Sequence, residues 1–418
     1  MKTRAAVLYG KKDIRIREFE LPDITKDELL VKVISNSICL STYKAALLGE
    51  DHKRVPKNIA SHPVITGHEF AGIIVEVGAN LKNKFKEGDK FVLQPAMGLK
   101  NGYSAGYSYE YFGGNATYTI IPKVAIDLGC VLPYKGDYFA NGSLAEPMSC
   151  IIGAYNANYH TTPYVYKHQM GIKEGGNLAL LGSAGPMGIG AVDYAINGKK
   201  KPRLVVVTDI NDKRLKRVQQ LIPEEDAKKK GIKLVYFNTA KQDSTKSLSE
   251  FTDNNGYDDV FVFAPIPTLI EQADDILGND GCLNFFSGPT DKNLKVPFNF
   301  YNVHYLSTHV VGTSGGSTED MKEALNLSFQ NKINPSYMIT HIGGLNAAPN
   351  TILNLNTIPG GKKLIYTHIE MELTAISDFE RLGKTNGLFR ELDRIVKKNN
   401  GLWCKEAESY LLNYYKVI

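Results

Sequence analysis

Cysteine is scarce in this chain: five among 418 residues, at positions 39, 130, 150, 282 and 404, odd in number and scattered. That pattern excludes a disulfide framework and points to a reducing compartment, so any cysteine chemistry is expected to be metal binding or thiolate chemistry. Long apolar runs are missing too; none approaches membrane-spanning length, and no membrane partner is expected. Neither sign of charge dominates. With 49 Lys and Arg against 44 Asp and Glu, the net charge of +5 is too dilute for nucleic acid, though it leaves room for a local anion site. The start, Met1-Lys2-Thr3-Arg4, runs straight into charged, strand-like sequence, so no export signal is expected and the cytoplasm is the expected location.

What is present is ordinary globular material, 43% hydrophobic and 22% charged, in a chain long enough for two domains. Up to about Ala154 the sequence reads as short strands and turns, with β-rich stretches at 29–34, 72–77 and 90–94 and a turn signal at Gly88-Asp89. From Gly176 strands and helices alternate, the sequence form of a parallel sheet. Six strands are expected, at 177–181, 204–209, 234–237, 259–263, 283–286 and 308–312. Helical spacing follows the first two, through Ile189, Val192 and Ile196 and then Leu215, Val218 and Ile222. A polar tail carries Leu388, Leu392 and Ile395 on one face, with Trp403 as its expected apolar anchor. The expected division is 1–154 with 313–418 as one domain and 155–312 as a dinucleotide-binding domain.

The sharpest local motif is Leu178 to Gly188, in which an apolar strand empties into Gly182, Gly185, Pro186, Met187 and Gly188 and then a helix. Glycine suits such a turn because a Cβ would keep the backbone from a pyrophosphate resting on the helix N-terminus. The G-x-x-G-x-x-G spacing is one residue longer than usual in its first interval. Asp209 ends the second strand 21 residues after Gly188, where a carboxylate can accept hydrogen bonds from ribose hydroxyls and repel a 2′-phosphate. NAD is therefore favoured over NADP, while Lys213 and Arg214 leave NADP open.

Upstream, Cys39, His68, Glu69 and Glu146 offer a thiolate, an imidazole and two carboxylates, a set able to hold zinc while water or substrate competes for a position. With Ser41, Gly67 and Gly72, Gly113-Gly114-Asn115-Ala116, Pro147 and the 185–188 run, the chain resembles the zinc-dependent medium-chain dehydrogenase/reductase superfamily, in its polyol branch, over about residues 1 to 370. The resemblance implies an α/β architecture: a GroES-like, mostly β catalytic domain beside a Rossmann domain with a doubly wound parallel sheet. It implies a catalytic zinc on Cys39, His68 and Glu69, with Glu146 binding directly or through water, and Ser41 as a hydroxyl relay. Zinc in such a site is a Lewis acid toward an alcohol or ketone, and the nicotinamide exchanges the hydride.

Two departures from that family stand out. Relatives often carry a structural zinc on four cysteines in the lobe that corresponds to Gly98–Gly114; this lobe has none, so a single metal is expected. Relatives also commonly have aspartate where Thr42 stands and histidine where Lys44 stands, which leaves open the partner of the metal-bound histidine and the outer proton relay. Ser35 to Lys44, Asp51 to Pro56 and Leu373 to Ile376 look like the L-sorbose-1-phosphate reductase family, implying a sugar phosphate interconverted between L-sorbose 1-phosphate and D-glucitol 6-phosphate. Lys44, Lys53 and Arg54 could supply charge-assisted bonds to that phosphate, with Lys44 the first choice. Sorbitol- or threonine-dehydrogenase-like chemistry on an unphosphorylated alcohol is the alternative, and a homodimer or tetramer is expected. Readings of another kind are a non-enzymatic NAD sensor, which has no use for the metal set, a zinc-free reductase of the same fold, and a serine hydrolase. The last reads Gly312-Thr313-Ser314-Gly315-Gly316 as a nucleophile elbow with His341 or His368 downstream.

Overall fold

The computed structural model describes residues 1–240 and 244–417. The chain forms two compact units, one from Met1–Glu146 together with the chain from Ile339 onward, the other Pro147–Met338. These divisions differ from the expected 154 and 312 for identifiable reasons. The first lies inside the helix Phe139–Ala157, at Pro147, whose missing N–H interrupts the helical ladder. The second lies beyond the helix Thr318–Phe329, which the Ser317–Asp320 capping box starts within the second unit.

In the first unit the spine is the strand Leu29–Ile38, buried along nearly its whole length. It pairs antiparallel with Glu69–Val77 along one edge and, along the other, with Tyr118–Ile121 and then with Lys362–Tyr366, far away in sequence. Glu69 lies opposite Ser37 and Lys363 opposite Ile38, so both neighbours present their ends at the end of the spine that leads into Cys39. The second unit is a six-stranded, wholly parallel sheet in which the strands, numbered by sequence within this unit after the short hairpin at 159–170, run third, second, first, fourth, fifth, sixth. That is the doubly wound order of a dinucleotide-binding sheet. Asn177–Leu181 and Leu204–Asp209 have the bounds expected from their apolar runs and are buried throughout. The fifth strand, Leu277–Phe285, begins earlier than expected because Gly278, Asn279 and Asp280 break its apolar pattern. No helix among the described residues is long and apolar enough to cross a membrane.

The tail folds onto the first unit as helices Gly387–Lys398 and Lys405–Tyr414; its final residue, Ile418, lies outside the described residues. Leu388, Leu392 and Val396 are the buried stripe, so a strict four-residue step places Val396, and not Ile395, against the core. Trp403 is an anchor as expected, but a polar one as well: its Nε1–H donates to Tyr366 Oη at 2.7 Å, and Tyr366 donates to Glu408 at 2.6 Å. Glu408 in turn accepts the first two amides of the helix Phe139–Ala157, from Phe139 at 2.6 Å and Ala140 at 2.8 Å. Burial pushes its carboxyl up to about 7, against these hydrogen bonds, which favour the charged form. Because each amide uses a different carboxylate oxygen, Glu408→Gln turns an NH2 toward one of them. The variant should lose about 1–3 kcal/mol in a urea melt followed by circular dichroism, the cost of one buried unsatisfied donor; unchanged stability would refute the capping role.

Candidate active site

Cys39 stands where the spine strand gives way to the helix Leu40–Leu48, in extended backbone, so Ser41 and Thr42 occupy the first turn of that helix beside it. His68 and Glu69, adjacent in sequence, converge because the chain bends at Gly67, whose φ of +89° belongs to glycine. A Cβ there would stand 2.8 Å from the Asn115 backbone nitrogen. The turn is pinned from outside: Gly114 N–H donates to Gly67 O and Asn115 N–H to Thr66 O, both at 2.8 Å, while the Asn115 amide donates to Thr66 Oγ1 at 3.1 Å. The Gly113-Gly114-Asn115 segment therefore fixes the approach of His68.

One ligand atom each from Cys39, His68 and Glu69 lies within 4.8 Å of the others, the one such group among the described residues. Glu146, the fourth expected ligand, is not in that set. Its carboxylate acts on His68 and Glu69 electrostatically, and burial followed by Glu69 pushes it up to about 7. Burial lowers the pKa of His68, which keeps the imidazole neutral, and burial with Glu69 raises that of Cys39. The donor chemistry fits a divalent cation: a neutral ring nitrogen, a thiol and two carboxyls share a dry site, with the buried Lys362 bonded to one of the carboxyls.

Lys362 went unnoticed in the sequence. Only 5% exposed, it opens the strand Lys362–Tyr366 and donates to both oxygens of Glu69, at 2.5 and 2.7 Å. Burial alone would lower its pKa; Glu69 and Cys39 outweigh that and raise it. Tyr107 was missed as well. It belongs to the lobe that lacks the cysteines, where the preceding Gly106 packs so tightly that a Cβ would meet Gly67 O at 2.1 Å. Tyr107 Oη donates to Ser41 Oγ at 2.7 Å and lies 3.4 Å from His68 Nε2. Ser41 donates to Cys39 Sγ at 2.9 Å. Thr42, at the position where relatives have aspartate, reaches His68 Nδ1 at 3.3 Å. With Nδ1–H donated to Thr42, Nε2 keeps its lone pair for a metal. No motif marks Lys362 or Tyr107; only the fold brings them here.

Of the three basic candidates, Lys53 is exposed, Lys44 is half-buried with its charge disfavoured by burial and supported by Cys39, and the Arg54 guanidinium lies over the Tyr107 ring at 5.2 Å. The hydrolase reading finds no support: Ser314 is an exposed turn residue, while His341 bonds Thr340 and His368 bonds the Thr117 carbonyl. Gly316 serves a close approach, but to the Ser149 backbone, 2.4 Å from where its Cβ would be.

In the second unit Gly182 has φ +65°, and a Cβ on Gly188 would strike Ser183 O at 1.8 Å, so the turn and the strand–helix packing both require glycine. Gly185 differs: a Cβ there meets nothing within 4 Å, and no side chain caps the helix Pro186–Asn197 that follows. The protein itself leaves that space beside a helix N-terminus, which suits a pyrophosphate. Asp209, 4% exposed, accepts from the Ala184 amide at 3.3 Å and the Asn211 amide at 2.9 Å and pairs with Arg214 at 3.2 Å.

Comparison with known proteins agrees with this geometry. Residues 186–330 match the zinc-binding dehydrogenase family and 25–128 the alcohol dehydrogenase GroES-like domain. The chain is 67% identical to the mannitol-1-phosphate 5-dehydrogenase of Aliivibrio fischeri, over all of this chain and 99% of that one, and 43% identical to the L-sorbose 1-phosphate reductase of Klebsiella pneumoniae, over all of this chain and 98% of that one. It belongs to the zinc-dependent medium-chain dehydrogenase/reductase superfamily, in its polyol branch. The crystal structure of 2R,3R-butanediol dehydrogenase from Bacillus subtilis shares the fold, with a TM-score of 0.71 at 19% identity over 87% of this chain and 99% of that one. As a member of this superfamily the chain is a nicotinamide-dependent alcohol/polyol dehydrogenase. In such a polyol dehydrogenase Lys362 would hold Glu69 ready for the metal. Lys362→Met should destabilise the metal-free protein by about 3–5 kcal/mol, because it leaves a buried carboxylate unpaired. Added zinc should then raise its melting temperature more than that of the parent; an equal shift in both would remove Glu69 from the metal site.

Proposed function

We propose that the protein transfers a hydride between NAD(P)(H) and a phosphorylated six-carbon sugar alcohol or its ketose, using zinc held by Cys39, His68 and Glu69. The observation that carries this reading is the convergence of those three donors, with a second-row set of Thr42, Ser41, Tyr107 and Lys362 built around them. Relatives at 67% and 43% identity, both named for sugar phosphates, support the substrate class. The higher identity favours mannitol 1-phosphate over the L-sorbose 1-phosphate and D-glucitol 6-phosphate pair.

Zinc bound there would supply Lewis acidity toward the substrate's alcohol or carbonyl oxygen. The remaining work falls to the chain. Thr42 sets the His68 tautomer, and Lys362 holds Glu69 in place. In oxidation a proton leaves the alcohol oxygen as the hydride departs from the carbon that bears it, and the Ser41 and Tyr107 hydroxyls, 2.7 Å apart, offer the proton a path. Burial raises the Tyr107 pKa, so Tyr107 is a neutral relay and not a base. Glu146 is the alternative proton acceptor.

NAD(H) is favoured by Asp209, but its pairing with Arg214 offsets the carboxylate's charge and keeps the preference small. Arg214→Ala should therefore lower the NADP(H)-to-NAD(H) ratio of kcat/KM by roughly fivefold, about 1 kcal/mol for a half-exposed cation, in paired initial-rate assays; a rising ratio would contradict it. The function itself is tested by metal analysis combined with rates on mannitol 1-phosphate, L-sorbose 1-phosphate, mannitol and glucitol. One zinc per chain, loss of activity on chelation and preference for the phosphorylated substrates are expected. A zinc-free active enzyme, or preference for the plain polyols, would sink the reading.

A further inference from the structure

We infer that Arg54, seated on the ring of Tyr107, is the residue that binds the substrate's phosphate, an inference that rests on the sugar-phosphate reading above. The guanidinium forms no ion pair among the described residues and is half-buried, with its central carbon 5.2 Å from the Tyr107 ring centroid. A charge kept from bulk water without a counter-ion is unfavourable unless a ligand completes it. Its segment is held in place on the cysteine-free lobe. Ser108 Oγ donates to Arg54 O at 2.6 Å, the Arg54 amide donates to His52 Nδ1 at 3.3 Å, and the His52 ring stacks on Tyr107 at 5.7 Å and 11°.

The stacking ring is the same one whose hydroxyl touches Ser41 and lies 3.4 Å from His68. Arg54 thus stands one tyrosyl ring away from the group that would hold the reacting oxygen, a separation that a polyol chain can bridge. A planar guanidinium fixed on an aromatic face offers two parallel N–H donors to a phosphate with little ordering cost. Lys44 suits the task less well. It is half-buried, and burial disfavours the charge that a phosphate would need. Lys53 is exposed, and a freely moving ammonium has a larger ordering cost than a guanidinium held on a ring. Tyr107 then has two tasks, and the lobe that holds a second metal in many relatives here carries the substrate's anionic end.

The test compares the zinc-loaded parent, Arg54→Gln, Arg54→Lys and Lys44→Ala on mannitol 1-phosphate and mannitol by initial rates, with calorimetric titration of inorganic phosphate and metal content as independent readouts. Arg54→Gln should cut the ratio of kcat/KM for the phosphorylated over the plain substrate at least tenfold, mostly through KM, and weaken phosphate binding to a similar degree. Arg54→Lys should restore only part of it. Lys44→Ala should lower both substrates together. A parent with the phosphate preference and an Arg54→Gln variant that keeps it would overturn this assignment alone, as would loss of the preference in Lys44→Ala instead. A parent with no such preference would overturn the sugar-phosphate reading, and this inference with it.

Discussion

The first unit depends on how it tolerates buried negative charge. Cys39, Glu69 and Glu146 share a site from which water is largely excluded, and an unpaired carboxylate there would be expelled or neutralised. Lys362 meets part of that demand by donating to both oxygens of Glu69. It can do so because Lys362–Tyr366 pairs with one edge of the spine strand while Glu69–Val77 pairs with the other. The ion pair therefore spans the spine and ties the end of the chain to its beginning. Lys362 bonds only Glu69, and a divalent cation would engage Cys39, His68 and Glu69 together, as their donor types allow.

The tail extends this logic from the site to its support. Glu408 accepts the first two amides of the helix that carries Glu146, and Tyr366, the last residue of the Lys362 strand, donates to the same carboxylate. Trp403 completes the chain of bonds from Tyr366 outward. A segment that reads as a polar helical appendage thus fixes two elements that bear site residues, through hydrogen bonds that burial makes costly to break.

Legibility in the sequence followed the range of the interactions. The strands Asn177–Leu181 and Leu204–Asp209 were readable because continuous apolar runs ending in glycine or aspartate specify a buried parallel strand locally. Cys39, His68 and Glu69 were readable because their residue types and spacing resemble a family. Lys362, Tyr107 and Glu408 were not, since each acts on a partner that is distant in sequence, 293 residues away for Lys362 and Glu69. An isolated lysine, tyrosine or glutamate carries no period or motif. The unit boundaries differ from the expected domain limits for a related reason: one lies inside a helix, where only packing shows that the chain has changed partners.

The cysteine-free lobe shows what such a change can do. A structural metal fixes a loop by coordination, whereas here the lobe is fixed by glycine packing and hydrogen bonds. Gly106 presses on Gly67, Ser104 donates to the Pro95 carbonyl at 2.8 Å, and Ser108 bonds both the Ser104 amide and the Arg54 carbonyl. Those contacts order the loop without sulfur, and they also place an aromatic ring between the sulfur-bearing site and a cationic segment. Tyr107, held by these contacts, turns its hydroxyl toward Ser41 and His68 and its ring face toward Arg54, so the bonds that order the lobe also fix a side chain at the site.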